Sequence, residues 1–278
     1  MDPVVARKMW RTLEPLHGIV YFAADAGARY RALGLPEHMH YFPTRAAAMG
    51  PVPAEVVMAT FFNFHPAVVR AAIPAAWVIA TPEQILAARV AGAGDVLRRI
   101  LGDAVDSPEV AEAAGLARAA AEACPPQGRP LFAGHASLPW PGEPHLALWH
   151  AITLLREFRG DGHVALLLIE GLDGCEALVV HGATGEVPTS ILQSSRAWPD
   201  DEWGAATERV RARGWLDREG QLTDAGREHR DRVEHRTDEL ALAPWQSIGE
   251  DACDRLRGLV RPLSKAIVAS GELGFRRP

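Results

Sequence analysis

The sequence predicts a mainly α-helical chain: an N-terminal helical domain, then a second helical unit carrying one small β-hairpin. Three observations predict it. Apolar residues recur at three- and four-residue steps, as in Val4, Val5, Met9, Leu13, Leu16 and Val20. Helix starts are marked by Thr81-Pro82 and Ser107-Pro108, each with a Glu just inside the first turn. A single short stretch, DREGQL, reads as a hairpin in which Glu219-Gly220 makes the tight turn.

In chain order, residues 3–33 give one or two helices, which Pro15 is expected to kink or split. LGLPEHMHYFPTRAAAMGPVP, with prolines at 36, 43, 51 and 53, is a loop-rich connection. AEVVMATFFNF reads as a buried helix ended by His65-Pro66, and AVVRAAIPAAW, PEQILAARVAGAGDVLRRILG and SPEVAEAAGLARAAAEA as three more helices. The Pro-rich segment after Cys124 is a linker or a packed crossover. It divides the chain into an N-terminal helical domain (1–124), a linker (125–144), a second domain (145–245) and a C-terminal helix (246–278). HLALWHAITLLREF is an amphipathic helix that Arg159-Gly160-Asp161-Gly162 should break, with Asp161 capping the next helix near His163. HVALLLIEGLDGCEALVVHG, residues 163–182, has the outline of a helix-turn-helix. DDEWGAATERVRARGWLD is a further helix, Thr223 caps a long charged one, and Pro244-Trp245 stops it. The last helix carries an apolar face (Cys253, Leu256, Leu259, Val260, Leu263, Ile267) that offers a homodimer contact.

The order helix, helix-turn-helix, helix, hairpin, long helix is that of a winged-helix domain. The run Arg213-Gly214-Trp215-Leu216, Arg218-Glu219-Gly220, Leu222-Thr223-Asp224-Ala225-Gly226 resembles the wing region of the MarR-like regulators. YFPTRAAAMGPVPAEVVMATFFNFHP, LWHAITLLREFRGDGHVALL and TERVRARGWLDREGQLTDAG are similar to a family of actinobacterial helix-turn-helix, MarR-like proteins. The resemblance implies a MarR-like winged-helix domain with a β-hairpin wing. It also implies a ligand-responsive DNA-binding dimer as one function.

Composition weighs against that function. The formal net charge is −6, whereas proteins that live on phosphate contacts carry a basic surface. Between His145 and Ser190, Arg156 and Arg159 stand against Glu157, Asp161, Glu170, Asp173, Glu176 and Glu186. The second helix of the 163–182 stretch has no Arg, Lys, Asn or Gln with which to read base edges. DNA is therefore a disfavoured alternative partner. Burial of Glu176 and His181 against the N-terminal domain would remove it. No apolar run approaches the roughly 18 residues of a membrane span, so no membrane partner is expected. Cys124, Cys175 and Cys253 lie far apart with no CxxC, and a cytoplasmic location is the default expectation.

Four clusters could carry chemistry. His38 and His40 have the H-x-H spacing of a metal chelate, to be completed in the fold by His65 or His17. FFNFHP places Asn63 close to His65 and Arg45 among aromatics (Tyr41, Phe42, Phe61, Phe62, Phe64, Trp77), the composition of a pocket with a few convergent polar groups. On the LWHAITLLREF helix, His150, Thr153 and Glu157 share a face, with Trp149 and Arg156 on an adjacent one. His150, Glu157 and His163 are the candidates for acid–base work, and Arg156 for clamping a carboxylate or phosphate. GxSxG, Walker A, GxGxxG and HExxH patterns are absent from the sequence, and the cofactor stays unknown.

These observations point first to a small-molecule-binding protein on a winged-helix scaffold, with an enzyme of specialised metabolism as the narrower form of that reading. Its pocket is expected between the N-terminal helices and the winged-helix domain. The second reading is a MarR-like, ligand-responsive transcription regulator.

Overall fold

The computed structural model describes residues 1–273; positions 274–278, the end of the expected C-terminal unit, lie outside the described residues. Two hydrophobic cores organise the chain, a larger one and a smaller one. The larger is built by α1 (Val4–Gly18), α2 (Ala24–Ala32), α3 (Tyr41–Ala46), α4 (Ala54–Phe61), α5 (Pro66–Ala72), α6 (Ala75–Ile79), α7 (Pro82–Leu101), α8 (Pro108–Glu122), α9 (Pro130–Ala136) and the first part of α10 (Pro144–Ile169). Local chemistry sets several of these starts. Thr81 and Gln84 form a reciprocal capping box on α7, and the Ser107 hydroxyl accepts from Val110 N–H on α8. Pro15 sits inside α1, which continues past it to Gly18.

Two helices differ from the sequence expectation. AEVVMATFFNF is only half buried, and its helix stops at Phe61, well before His65-Pro66. Phe62 takes φ 49°, ψ −53°, and Asn63 N–H bonds Phe61 O at 2.6 Å, a tight three-residue γ-turn. Helix α10, by contrast, runs unbroken through Arg159-Gly160-Asp161-Gly162. Each glycine costs a helix about 1 kcal/mol, but the flanking Phe158, Leu166 and Leu167 are buried and each gains about 1.5–3 kcal/mol. Gly162 serves close approach: a Cβ there would lie 2.6 Å from Arg129 Nη1, whose guanidinium caps Phe158 O. Asp161 does cap a helix, but it is α9, accepting from Phe132 N–H at 2.9 Å.

The smaller core joins the end of α10 to α11 (Gly174–Gly182), α12 (Thr189–Arg196), α13 (Asp200–Ala212) and α14 (Asp224–Leu240). Helix α11 starts on a capping box between Asp173 and Glu176. It packs against α13, with Leu192 of α12 and Trp203, Ala206 and Val210 of α13 in the same core. The expected β-hairpin wing is reduced to one antiparallel bridge, Leu216 to Leu222, with no strand among the described residues. The Asp217 side chain accepts from Glu219 N–H (3.0 Å) and Gln221 N–H (2.8 Å), so a side chain takes up donors that a longer hairpin would pair in a ladder. Gly220 has φ 81° at the tip, and Thr223 Oγ1 caps α14 through Gly226 N–H.

After α10 the chain runs through three helices (α11, α12, α13), a short hairpin and the long helix α14. Helix α11 is the first of the three and is enclosed nearly all round. A reading helix needs an open face. Helix α13 has one, and it carries Asp200, Asp201, Glu202 and Glu208.

After α14 the chain returns to the larger core through α15 (Ala243–Ile248) and α16 (Glu250–Ala269). The apolar face read as a dimer contact is covered within the chain: α16 packs on α1 and α8, and Cys253, Leu256, Val260 and Ile267 are buried. No single helix among the described residues is long and apolar enough to cross a membrane.

Candidate functional site

A cleft of about 310 Å³ opens between the two cores. One wall is α3 and the Phe61–Phe64 turn; the floor is α10; the far walls are α11 and α14. Two details press the walls together. Phe62 O packs so closely on Gly174 that no Cβ fits there, so α11 needs glycine at its first turn. His65 N–H bonds Arg196 O at 3.0 Å, and Trp198 Nε1 donates to Asn63 O at 2.9 Å. The α12–α13 turn is therefore tied to the wall of the cleft.

At the floor, Arg45 grips Glu157 with two hydrogen bonds, Nε to Oε1 at 2.8 Å and Nη2 to Oε2 at 2.6 Å. Arg156 Nη1 donates to the same carboxylate at 3.0 Å, and Glu14 approaches Arg156 at 3.7 Å. Burial alone would raise the Glu157 pKa. The Arg45 and Arg156 charges and the Arg45 hydrogen bonds outweigh it, holding the carboxyl well below its ordinary value. Glu157 is thus an ionised anchor between two arginines, not a group poised to exchange protons near neutrality.

Tyr41 Oη accepts from Arg45 Nη1 at 3.0 Å. Burial would raise its pKa too, but Arg45, Arg156 and Arg196 together hold it below the ordinary phenol value. Arg196, the last residue of α12, is the cation left over. Its guanidinium lies 4.5 Å over the Phe64 ring and donates to Ser195 Oγ at 3.1 Å, while its Nε is buried without a partner. It forms no ion pair with a carboxylate among the described residues, and burial lowers its pKa.

Two groups on the α10 wall have shifted proton affinities. Asp161 is pushed up to about 6, chiefly by burial and against the Phe132 N–H bond. His163 is pushed down to about 4 by burial. Thr237 donates its hydroxyl to Val233 O at 2.7 Å, so it accepts from His163 Nδ1–H at 2.9 Å, which leaves Nε2 as the free acceptor.

The cleft thus gathers Tyr41, Arg45, Phe61, Asn63, Arg156, Glu157 and His163 from the sequence-based candidates. It leaves others outside. His150 and Trp149 lie deeper in the larger core, with His150 against the Trp140 ring at 4.8 Å, and Thr153 bonds His17 Nδ1 at 3.1 Å. His65 caps α5 and meets Glu202 at 3.2 Å beside the cleft. His40 Nε2 bonds Leu35 O at 3.0 Å and His38 is exposed. No group of three or more metal-ligating side chains forms among the described residues. Sequence reasoning missed Arg196 and Asp161 as cleft residues, because what places them there, the Phe64 ring under Arg196 and the Phe132 N–H on Asp161, comes from segments distant in the chain. Glu176 and His181 also part company. Glu176 is buried against α13, paired with Arg209 (2.6 Å) and Arg213 (3.3 Å), whereas His181 lines the cleft.

No curated protein matches this chain, and no solved structure does. A model of a helix-turn-helix family matches residues 6–274. That span takes in both cores and the cleft between them, so the likeness is one of the whole architecture; the chain belongs to this helix-turn-helix family.

Proposed function

We propose that this chain binds a small molecule in the cleft between its cores, and that the ligand is an acid with an apolar, flat body. The single observation that carries this is Arg196. A half-buried guanidinium, its Nε sealed from solvent and with no carboxylate partner among the described residues, faces a cavity of ligand size lined by Phe61, Phe62, Phe64, Leu167, Leu178 and Val180. Arginine does not shed its charge, and the neighbouring Arg45–Glu157–Arg156 group is already satisfied. A carboxylate or phosphate on the ligand completes the set, and the aromatic wall takes its body. Asp161 and His163 add acid–base groups at the same wall, so a reaction on the bound acid is an extension of the same reading.

The test is a calorimetric titration with 2-naphthoate and its neutral amide. A charged hydrogen bond is worth about 1.5–3 kcal/mol, roughly ten- to a hundredfold in affinity. The acid should bind wild type at least tenfold tighter than the amide does, and Arg196→Met should erase the difference. Equal affinity for acid and amide would overturn the proposal.

A second reading, a MarR-like ligand-responsive DNA regulator, draws support from the Arg196–His65 and Trp198–Asn63 bonds that tie α12–α13 to the cleft. The open face of α13 opposes it. Its arginines are engaged, Arg209 with Asp173 and Glu176, Arg211 with Glu208, and Arg213 with Glu176. Tight, sequence-specific retardation of adjacent intergenic DNA at 150 mM salt, taken as roughly physiological, would reverse the ranking.

A further inference from the structure

Helix α7 carries Arg89 into the larger core, where the residue is 1% exposed. One nitrogen, Nη2, donates to Tyr21 Oη at 2.9 Å; Nε and Nη1 are buried with no partner. The guanidinium lies 5.0 Å from the Tyr21 ring centre and 5.2 Å from that of Trp149. It makes no ion pair among the described residues. The carboxylate whose charge reaches it, Glu157, is held by Arg45 and Arg156.

Three more orphaned polar atoms sit in the same core, Trp149 Nε1, His135 Nε2 and His150 Nε2, and the Tyr30 hydroxyl lies beside them within reach of Arg89 and Thr44. Tyr30, His135 and His150 each feel the Arg89 charge, and Trp149 presents its ring to it. Helices α2, α7, α9 and α10 all contribute. Buried polar groups are nearly always paired, so a cluster of this kind calls for an occupant. The set is donor-rich. Arginine and tryptophan nitrogens only donate, and the Tyr30 hydroxyl can. A water accepts two hydrogen bonds and brings no charge; an oxyanion accepts more and neutralises the guanidinium.

We propose that the larger core holds a small oxyanion, a carboxylate or phosphate group, against Arg89, with Trp149 Nε1–H and Tyr30 O–H as its neutral donors. The site is separate from the cleft and does not rest on the function proposed for it. His135 and His150, kept neutral by burial, flank the anion without adding charge.

The test uses the full chain dialysed into chloride buffer. Thermal stability is followed during titration with sodium acetate, inorganic phosphate or hexanoate, with chloride at matched ionic strength as control. Acetate and phosphate report a free anion; a response to hexanoate alone reports the acid group of a longer molecule. Ion chromatography of the denatured protein checks for an anion retained through dialysis. The proposal expects a rise in melting temperature with at least one oxyanion, or one retained equivalent. Arg89→Met should abolish either, and Arg196→Met should leave it intact. If Arg89→Met does not fold, Trp149→Phe and Tyr30→Phe should each weaken the response about tenfold, as expected for one lost hydrogen bond to a charged group. A response to ionic strength alone with nothing retained would overturn the proposal, and so would unchanged binding in both single-donor variants.

Discussion

Phe62 and Gly174 show how single residues hold the cleft open at a fixed width. A non-glycine residue at φ 49° stores strain, commonly about 1–3 kcal/mol, and such residues persist where the surroundings over-determine them. Here the Phe62 carbonyl rests on the first turn of α11, where glycine alone fits. Gly174→Ala should lower stability by about 1–3 kcal/mol in urea denaturation, the usual cost of overpacking; an unchanged midpoint would mean the walls do not touch as described. Glu157 sets a second residue-scale expectation. Glu157→Gln leaves Arg45 and Arg156 without their shared carboxylate, and breaking such a buried pair costs about 3–5 kcal/mol. Glu157→Gln should therefore be among the most destabilising isosteric changes in the chain, read by the same denaturation curve.

Proton binding by the buried histidines gives a further expectation. His150 and His163 are held to about 4, so between pH 6.5 and 4 they stay neutral when the unfolded chain would protonate them. The unfolded state binds more protons there, and stability falls as the pH drops through that window. Asp161, raised to about 6, acts in the opposite sense, adding stability as the pH falls below 6. Histidines outnumber it, since His135 is also lowered, to about 3. The net expectation is a loss of stability on acidification, measured as the urea midpoint from pH 7 to 4.5, and His150→Phe should flatten it.

At the scale of elements, starts that depend on neighbours in sequence were legible. Thr81, Ser107 and Thr223 each cap the helix that follows, as their spacing implies. What was not legible depends on contacts distant in the chain. The glycines of α10 look like a break, but burial on both sides carries the helix through. Asp161 caps a helix that precedes it by some thirty residues, a partnership of |i−j| = 29 that no local pattern displays. The α10–α11 stretch has the periodicity of a helix-turn-helix, yet α11 is enclosed and offers no open face, whereas α13 does. Its consequence is testable on α13. With Asp201 and Glu208 on the open face, wild type should bind duplex DNA weakly and with a shallow salt dependence. Asp201→Asn with Glu208→Gln frees Arg211 and should raise non-specific affinity severalfold by fluorescence anisotropy at low salt. No change would show that this face never approaches DNA.

At the scale of the molecule, the candidate residues divided between two places. Arg45, Asn63, Arg156, Glu157 and His163 meet at the cleft between the cores, whereas Trp149, His150 and Thr153 belong to the interior of the larger one. Spacing on α10 put them on adjacent faces; the packing of α1, α8, α9 and α14 around that helix decides which face meets a cavity. The α12–α13 unit is bonded to the same cleft wall at Asn63 and His65, so the wall and these two helices are held together. The most direct measurement is a crystal structure of the chain grown with 2-naphthoate. The account predicts the carboxylate within hydrogen-bonding distance of Arg196, with the ring system against Phe61 and Phe64. A cleft left empty under saturating ligand, or a ring bound there with its carboxylate turned away from Arg196, would contradict it.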